Sequence, residues 1–316
     1  MKILVLGAGA VGGYFGGRLA EAGVNVSFLV RPARAALIAQ KGLRVDSKAG
    51  NLNLKPRCVV AGEVSPEYDL VLLTAKAYDL ESSMEAIAPA LAGGKGYVLP
   101  LLNGMTHLEK LDARFGGERV LGGVAYIAST LAPDGEIRHM SDFHSIAFGP
   151  RQASQRPVCE AFAAASAKSK SEFKLHDNIL QAMWDKWVLL ASLGGITCLM
   201  RAPIGDYVAT EAGARIALAL LAECVAVASA EGFPTPAPVL ASYRARLTEK
   251  GSLLAASMMR DIEAGGPAEG DHILSALLAR ARARGVAAPL LEVAATHVET
   301  YMNRRTREGA AKASRA

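Results

Sequence analysis

The 316-residue chain is poor in cysteine and in aromatic residues. The cysteines lie far apart, with no C-x-x-C pair and no histidine at ligand spacing, which argues against a disulfide framework and against a zinc site. Aromatic residues make up 6% of the chain and no basic patch is interleaved with them. Nucleic-acid binding is therefore not expected, although the formal charge is +5. The four cysteines, expected as reduced thiols of a cytoplasmic protein, are Cys58, Cys159, Cys198 and Cys224.

Signals for membrane insertion or export are also missing. Met1 and Lys2 lead directly into a predicted strand, so no signal peptide is expected. The apolar stretch from Trp187 to Met200 is too short to span a membrane and is predicted to be a buried helix. With 51% hydrophobic and 21% charged residues, the composition predicts a soluble globular protein of one large or two medium domains.

The opening segment ILVLGAGAVGGYFGG, residues 3–17, carries the strongest signal in the chain. A buried strand is predicted over residues 3–6 and a helix over residues 14–20. Three glycines between them have the G-x-G-x-x-G spacing, which permits a tight turn, close approach of backbone N–H groups to a pyrophosphate, and packing of the helix on the strand. This context favours dinucleotide binding over a simple turn. The residues predicted to bind the dinucleotide are Gly7, Gly9, Ala10, Val11 and Gly12.

The second predicted strand, residues 24–30, is followed by Arg31 rather than by an acidic residue, and Arg34 comes one turn later. A carboxylate at this place would bind the ribose hydroxyls of NAD and repel a 2′-phosphate, whereas a guanidinium group can bind that phosphate. The arginines therefore predict NADPH as the cofactor. The alternative is that both are solvated loop charges.

Strand and helix signals alternate up to about residue 176 and then change. The first part predicts an α/β domain, a Rossmann-type doubly wound parallel sheet with an antiparallel edge, over residues 1–176. Alanine- and leucine-rich helical patterns then predict an all-helical substrate and catalytic domain over residues 177–308. Residues 309–316 are predicted to be a disordered tail. The apolar helix near residues 217–228 predicts either the seam of a homodimer or core within the domain.

Three polar residues stand out, although each has an ordinary interpretation when taken alone. Lys186 lies between two tryptophans in an apolar helix and would otherwise be a snorkelling surface cation. Asn103 follows a strand in an Asn-Gly turn, at the sheet edge where such folds bind ligands. Glu269 opens a predicted helix after a Gly-Gly-Pro stretch, where an acidic residue suits the helix dipole.

Taken together and in this order, these residues resemble the ketopantoate reductase (2-dehydropantoate 2-reductase) family. The resemblance runs from Met1 to about residue 303 and implies NADPH-dependent reduction of 2-dehydropantoate to pantoate, as in pantothenate and coenzyme A biosynthesis. It implies that Lys186 is the general acid and that Asn103 and Glu269 position Lys186 and the substrate. It further implies that Ser257 contacts the substrate carboxylate and that Lys76 lies beside the cofactor. The motifs that carry it are GAGAVG with Arg31, KAYD from Lys76, LNGM around Asn103, WDK ending at Lys186, and SMMRD from Ser257 followed by Glu269 and Asp271.

The chemistry of a small 2-oxo acid substrate supports these roles. Hydride transfer to the 2-oxo carbon leaves negative charge on the oxygen, which a lysine can stabilise and then protonate. A carboxylate such as Glu269 would keep that lysine charged. Closure between the two domains, with Gly265-Gly266 as the candidate hinge, would exclude water from the reaction.

Two departures from the family pattern leave the substrate open. Leu190 and Gly194 stand four and eight residues after the lysine, where family members commonly have asparagines, and Ala268 replaces a usual threonine. The pocket is therefore expected to be more apolar and roomier. The alternatives are a related reductase of a different small 2-oxo acid, a catalytically silent NADPH-binding sensor, and a dehydrogenase of the β-hydroxyacid or phosphogluconate type.

Overall fold

The computed structural model describes residues 1–313, with side chains up to residue 309. The chain forms two compact units, the first made of Met1–Leu102 with His107–Met183 and the second of Asn103–Thr106 with the chain from Trp184 onward. This division differs from a boundary near residue 176, because one continuous apolar helix carries the chain out of the first unit. The short excursion at residues 103–106 has no sequence signal of its own, since packing between distant parts of the chain decides it.

The parallel sheet of the first unit has the strand order β5-β2-β1-β6-β7, with the opening strand at its centre. Leu6 at the end of β1 pairs with Leu29 of β2 on one side and with Leu73 of β6 on the other. Burial on both faces explains why these strands are continuous apolar runs, and the predicted α/β class is confirmed. The strands are β1 (Lys2–Leu6), β2 (Asn25–Leu29), β5 (Arg57–Val59), β6 (Leu70–Leu73) and β7 (Tyr97–Pro100).

The expectation of an antiparallel edge on this sheet was wrong. The antiparallel pair belongs to a second sheet of order β10-β9-β3-β4, in which β8 pairs with β9 from Gly122 opposite Gly149 to Leu131 opposite Ile137. The predicted segments 135–140 and 145–149 belong to one strand, which begins at Ile137 and ends at Gly149. Sequence alone could not show this, because the pairing partners are far apart in the chain. The strands are β3 (Leu43–Asp46), β4 (Leu52–Leu54), β8 (Gly122–Leu131), β9 (Ile137–Gly149) and β10 (Glu172–Leu175).

Five helices accompany these sheets. The first begins directly after the glycine-rich loop and buries Tyr14, Phe15 and Leu19 in the core that contains Ile3 and Val5 of the central strand. The helices are α1 (Gly12–Glu21), α2 (Pro32–Lys41), α3 (Leu80–Leu91), α4 (Thr106–Phe115) and α5 (Arg156–Ser166).

The second unit is helix-rich, as predicted, but differs from the prediction in three details. Two short helices, over Ile204–Val208 and Ser257–Glu263, were not predicted. The helix predicted from Glu269 begins instead as a π-helical turn over Asp271–Ser275. The last helix continues to Ala313, so the prediction of a disordered tail was wrong for residues 309–313. An alanine-rich sequence extends an existing helix readily. Residues 314–316 lie outside the described part. The helices are α6 (Ile179–Met200), α7 (Ile204–Val208), α8 (Gly213–Ala230), α9 (Ala237–Leu247), α10 (Ser257–Glu263), α11 (Ala276–Ala283) and α12 (Pro289–Ala313).

One helix among the described residues, α8, is long and apolar enough to cross a membrane by length and composition, and 39% of it is buried. It packs against α9, α11 and α12 and buries Leu220, Leu221 and Val227. A central helix of a bundle meets the same test, so this finding is weak evidence for a membrane span.

Candidate functional site

The glycine-rich loop has the geometry of an anion cradle. Gly7 has a φ of +93°, and a Cβ on Gly12 would lie 2.4 Å from the Gly7 carbonyl oxygen, so close packing excludes any side chain there. A Cβ on Gly9 would meet no atom within 4 Å. The loop is therefore tight where the helix meets the strand and open at Gly9, where backbone N–H groups at the start of α1 can face a pyrophosphate. These residues fit a dinucleotide.

Three side chains from outside the loop donate hydrogen bonds to backbone carbonyls at the end of β1 and in the loop. The Thr74 hydroxyl donates to the Leu6 carbonyl at 2.7 Å, and the Ser129 hydroxyl donates to the Ala10 carbonyl at 3.0 Å. The Arg34 guanidinium donates to the Ala8 carbonyl through Nη2 at 2.8 Å and through Nε at 3.1 Å. Neither interpretation of Arg34 from the sequence anticipated this, because a contact with a carbonyl across a tertiary interface has no local sequence signal.

The two remaining cofactor-site predictions of the first unit lie at the same edge of the parallel sheet. Arg31 precedes α2 directly after β2, and its side chain is exposed. Lys76 is also exposed and follows β6, two residues beyond Thr74. Because β2 and β6 flank β1, both cations stand at the carboxyl ends of strands neighbouring the glycine-rich loop.

The second unit brings Lys186 and Asn103 into direct contact. The Lys186 ammonium on α6 donates to the Asn103 side-chain oxygen at 3.0 Å, although the two residues are 83 positions apart. The structure therefore assembles two of the predicted catalytic residues within one unit. The family resemblance implies that these two residues act together, but the distance between them could not be inferred from the sequence, since the excursion of residues 103–106 into the second unit creates it.

The local backbone around this pair is held by specific contacts. The Trp187 indole donates to the Ile273 carbonyl of the π-helical turn at 2.9 Å, and the Tyr243 hydroxyl donates to the Asp185 carbonyl at 2.9 Å. Gly104 has a φ of +78°, and a Cβ there would lie 2.6 Å from the His272 carbonyl oxygen. The glycine of the Asn-Gly turn is therefore required at this place, because only glycine permits such close approach.

Electrostatics at Lys186 are set by burial and by one carboxylate. Burial of its ammonium lowers the pKa of Lys186 from 10.5 to about 8, and the Glu269 carboxylate opposes that fall. Glu269 is itself only 6% exposed and lies just before the π-helical turn. A lysine with this pKa is mostly protonated at neutral pH and can still release its proton near that pH.

Ser257 and its neighbour occupy different environments at the start of α10. Ser257 is exposed, whereas Met258 is 3% exposed. A Cβ on Gly194 would lie 2.8 Å from the Met258 terminal methyl carbon. The expectation of extra room at Gly194 was therefore wrong, because the methionine side chain fills that space. The site is apolar there, as Leu190 also predicts, and the role of Met258 has no signal in the sequence beyond its position beside Ser257.

The candidate hinge does not lie where the chain passes between the two units. Gly265 and Gly266 are inside the second unit. The Tyr301 hydroxyl of α12 donates to the Gly266 carbonyl at 2.8 Å, and Arg305 Nε donates to the Gly265 carbonyl at 2.9 Å. The hinge expectation was wrong, because hydrogen bonds from α12 hold these glycines.

Within residues 1–309, no three His, Cys, Asp or Glu side chains are grouped to hold a metal ion.

A dinucleotide-binding parallel sheet joined to a helical unit with a partly buried lysine defines a class of nicotinamide-dependent oxidoreductase. Two family models match the chain: "Ketopantoate reductase PanE/ApbA" over residues 3–153 and "Ketopantoate reductase PanE/ApbA C terminal" over residues 178–301. The chain belongs to the ketopantoate reductase family. A nicotinamide cofactor, NADPH, goes with that family.

Individual relatives and a solved structure agree with this assignment. The chain is 38% identical to an uncharacterized oxidoreductase, YkpB, of Bacillus subtilis, over 95% of this chain and 99% of that protein. It is 30% identical to a 2-dehydropantoate 2-reductase of Caulobacter vibrioides, over 91% of this chain and 94% of that protein. A crystal structure of a PanE/ApbA family ketopantoate reductase from Ralstonia eutropha has a TM-score of 0.85 at 28% identity, covering 97% of this chain and 100% of that one.

Proposed function

We propose that this protein reduces 2-dehydropantoate to pantoate with NADPH, as a cytoplasmic enzyme. The reaction consumes one 2-oxo acid, one NADPH and one proton, and yields one 2-hydroxy acid and one NADP. The observation that carries the proposal is the contact between the Lys186 ammonium and the Asn103 side-chain oxygen at 3.0 Å, at a lysine whose pKa is about 8.

Lys186 acts on the oxygen of the 2-oxo group. Its ammonium stabilises the negative charge that grows on that oxygen and then gives up one proton to form the hydroxyl. Asn103 accepts a hydrogen bond from the ammonium and so fixes its direction, while Glu269 favours its charged form. The exposed Ser257 hydroxyl is assigned to the substrate carboxylate.

The cofactor-binding residues have separate tasks. When bound, NADPH supplies the hydride. The loop from Gly7 to Gly12, including Ala10 and Val11, binds the pyrophosphate, and Asn103 also contacts the cofactor. The exposed Arg31 binds the 2′-phosphate, which gives the preference for NADPH over NADH, and Lys76 contributes a second positive charge.

A second substrate class is favoured by one observation. Leu190 lies on the helix that carries Lys186, and the Met258 methyl group of α10 fills the space beside Gly194 of that helix, so both contribute apolar surface there. Apolar surface suits a 2-oxo acid with a bulkier apolar side chain and no terminal hydroxyl, because a buried hydroxyl without a partner is costly. The second candidate is therefore a reductase of such an acid, with the same residues in the same roles.

The test is a substrate panel followed by the absorbance of reduced nicotinamide. Purified protein is mixed with NADPH or NADH and with 2-dehydropantoate, branched aliphatic 2-oxo acids and aromatic 2-oxo acids. If 2-dehydropantoate has the highest kcat/KM of the panel, the first candidate is supported. If an apolar 2-oxo acid has the highest kcat/KM, the second candidate is supported. Binding of NADPH without oxidation by any acid would contradict both and favour a sensor. Size-exclusion chromatography with light scattering tests the accompanying proposal of a homodimer.

A further inference from the structure

Alternate carbonyls of the glycine-rich loop are each bound by a side chain from outside the loop. The carbonyls of Leu6, Ala8 and Ala10 accept hydrogen bonds of 2.7 to 3.0 Å from Thr74, Arg34 and Ser129 respectively. Arg34 differs from the other two donors because it makes two bonds to one carbonyl and carries a full charge.

The far side of the same guanidinium reaches a second structural element. Arg34 Nη1 donates to the carbonyl of Gly135 at 2.9 Å, in the turn between β8 and β9. All three nitrogens of the guanidinium therefore have carbonyl partners, one in the loop and one in the hairpin turn. Arg34 is partly buried, and burial lowers its pKa. The side chain thus acts as a bridge between the loop and the second sheet, with three of its five N–H donors in use.

The hydrogen bonds to these carbonyls affect how well the loop can bind an anion. A carbonyl oxygen carries partial negative charge, and a loop that turned the Ala8 carbonyl toward a pyrophosphate would repel it. A charge-assisted bond that holds the carbonyl in the opposite direction leaves the N–H groups at the start of α1 facing the anion. Such preorganisation lowers the cost of binding, because the loop does not have to be ordered by the ligand.

We propose that Arg34 is a positioning residue that holds the pyrophosphate-binding loop through the Ala8 carbonyl, and is not a ligand of the 2′-phosphate. The proposal rests on the dinucleotide binding proposed above. It separates two neighbouring arginines that the sequence treats alike: Arg31, which is exposed, and Arg34, whose guanidinium is engaged by carbonyls. Loss of a residue that positions the loop should weaken the binding of NADPH and NADH equally, whereas loss of a residue that binds the 2′-phosphate should weaken the binding of NADPH only.

The experiment measures Kd for NADPH and for NADH by nucleotide fluorescence, without substrate, in wild type and in Arg34→Met. Met keeps much of the apolar stem and removes the donors. We expect both Kd values to rise by about tenfold, because the variant loses the charge-assisted hydrogen bonds that hold the loop. The ratio of the two Kd values stays within about twofold of wild type, while kcat at saturating NADPH is retained and the KM for NADPH rises.

Arg44→Gln is the matched control for damage to the hairpin turn. Arg44 binds that turn through Asp134 at 2.7 Å and makes no contact with the loop among the described hydrogen bonds and ion pairs. We expect its Kd values to match wild type. Arg34→Lys keeps the charge, but its single ammonium cannot reach both the Ala8 and the Gly135 carbonyls. It should therefore raise the Kd for both nucleotides as well. It also serves if the Met variant does not fold.

The outcomes decide the matter. A rise in the NADPH Kd alone, as expected for Arg31→Met, would overturn the proposal, and so would unchanged Kd values in both Arg34 variants. Wild-type protein that binds NADPH but reduces no 2-oxo acid would contradict the proposed substrate class and leave this comparison of Kd values intact.

Discussion

Replacing Glu269 by Gln tests the electrostatic arrangement around Lys186. The substitution keeps the size of the side chain and removes the charge that favours protonated Lys186. Burial, partly offset by Glu269, lowers the pKa of Lys186 from 10.5 to about 8, a net effect of about 3 kcal/mol against the charged form. Without the carboxylate we expect a further fall of about one pKa unit, the lower end of the effect of one opposite charge.

The direction of the pH dependence follows from the role of the acid. Lys186 must be protonated to act, so kcat/KM is highest at low pH and falls as the pH rises through the pKa of the free enzyme. With a pKa near 8 in wild type and near 7 in the variant, the rate ratio is about fivefold at pH 8 and close to one at about pH 6. The loss is therefore confined to the alkaline side.

The assay is initial-rate NADPH oxidation from about pH 6 to about pH 10, with the best acid of the substrate panel. Glu263→Gln is the matched control, because Glu263 is an exposed carboxylate on α10 that pairs with Arg201 at 2.6 Å. Its profile should coincide with wild type. A Glu269→Gln profile that falls at the wild-type pH, or by one factor at every pH, would refute the argument that this carboxylate tunes the lysine. A wild-type profile that is flat through pH 8 would remove Lys186 as the acid.

Four further substitutions probe the two units. Lys186→Ala should leave the NADPH Kd unchanged and lower kcat by about 100-fold or more, measured by fluorescence and by turnover; full turnover would dismiss it as the acid. Gly12→Ala should lower the thermal midpoint, through about 1–3 kcal/mol of overpacking against backbone 2.4 Å from the new Cβ. The new Cβ in Gly9→Ala meets no atom within 4 Å, so this variant should keep the thermal midpoint of the wild type while binding NADPH more weakly. Equal thermal midpoints for the Gly12 and Gly9 variants would contradict the loop geometry. Met258→Ala should reopen the space at Gly194 and raise kcat/KM for bulkier acids relative to smaller ones; an unchanged ratio would mean that this methionine does not border the substrate.

The elements predicted with most success were those whose signal is local. The strand and helix around the glycine-rich loop follow from an apolar run, three glycines and a helical pattern, all within residues 3–20. The change to helical sequence after residue 177 is likewise a property of composition and period. Short helices such as α7 and α10 were missed, because five to seven residues give too little periodicity.

Contacts between distant residues were beyond the sequence. The second sheet depends on which strands pair, and the space at Gly194 depends on where Met258 lies. Arg34 is a particular case: residue type and position suggested a solvated charge or a phosphate ligand, and the structure shows bonds to the Ala8 and Gly135 carbonyls. Sequence spacing does not indicate which carbonyl a guanidinium will meet.

By itself, the sequence determined the class of fold, the loop that suits a dinucleotide, and a lysine, an asparagine and a glutamate as candidates for the chemistry. The fold class and the loop follow from residue type and short-range spacing, which fix local backbone geometry, and the three polar residues follow from the resemblance to the ketopantoate reductase family. Only the tertiary structure decided that the Lys186 ammonium binds Asn103 and that its pKa falls to about 8. The reason is physical: a pKa and a hydrogen bond depend on burial and on neighbours, and these exist only after distant segments have packed together.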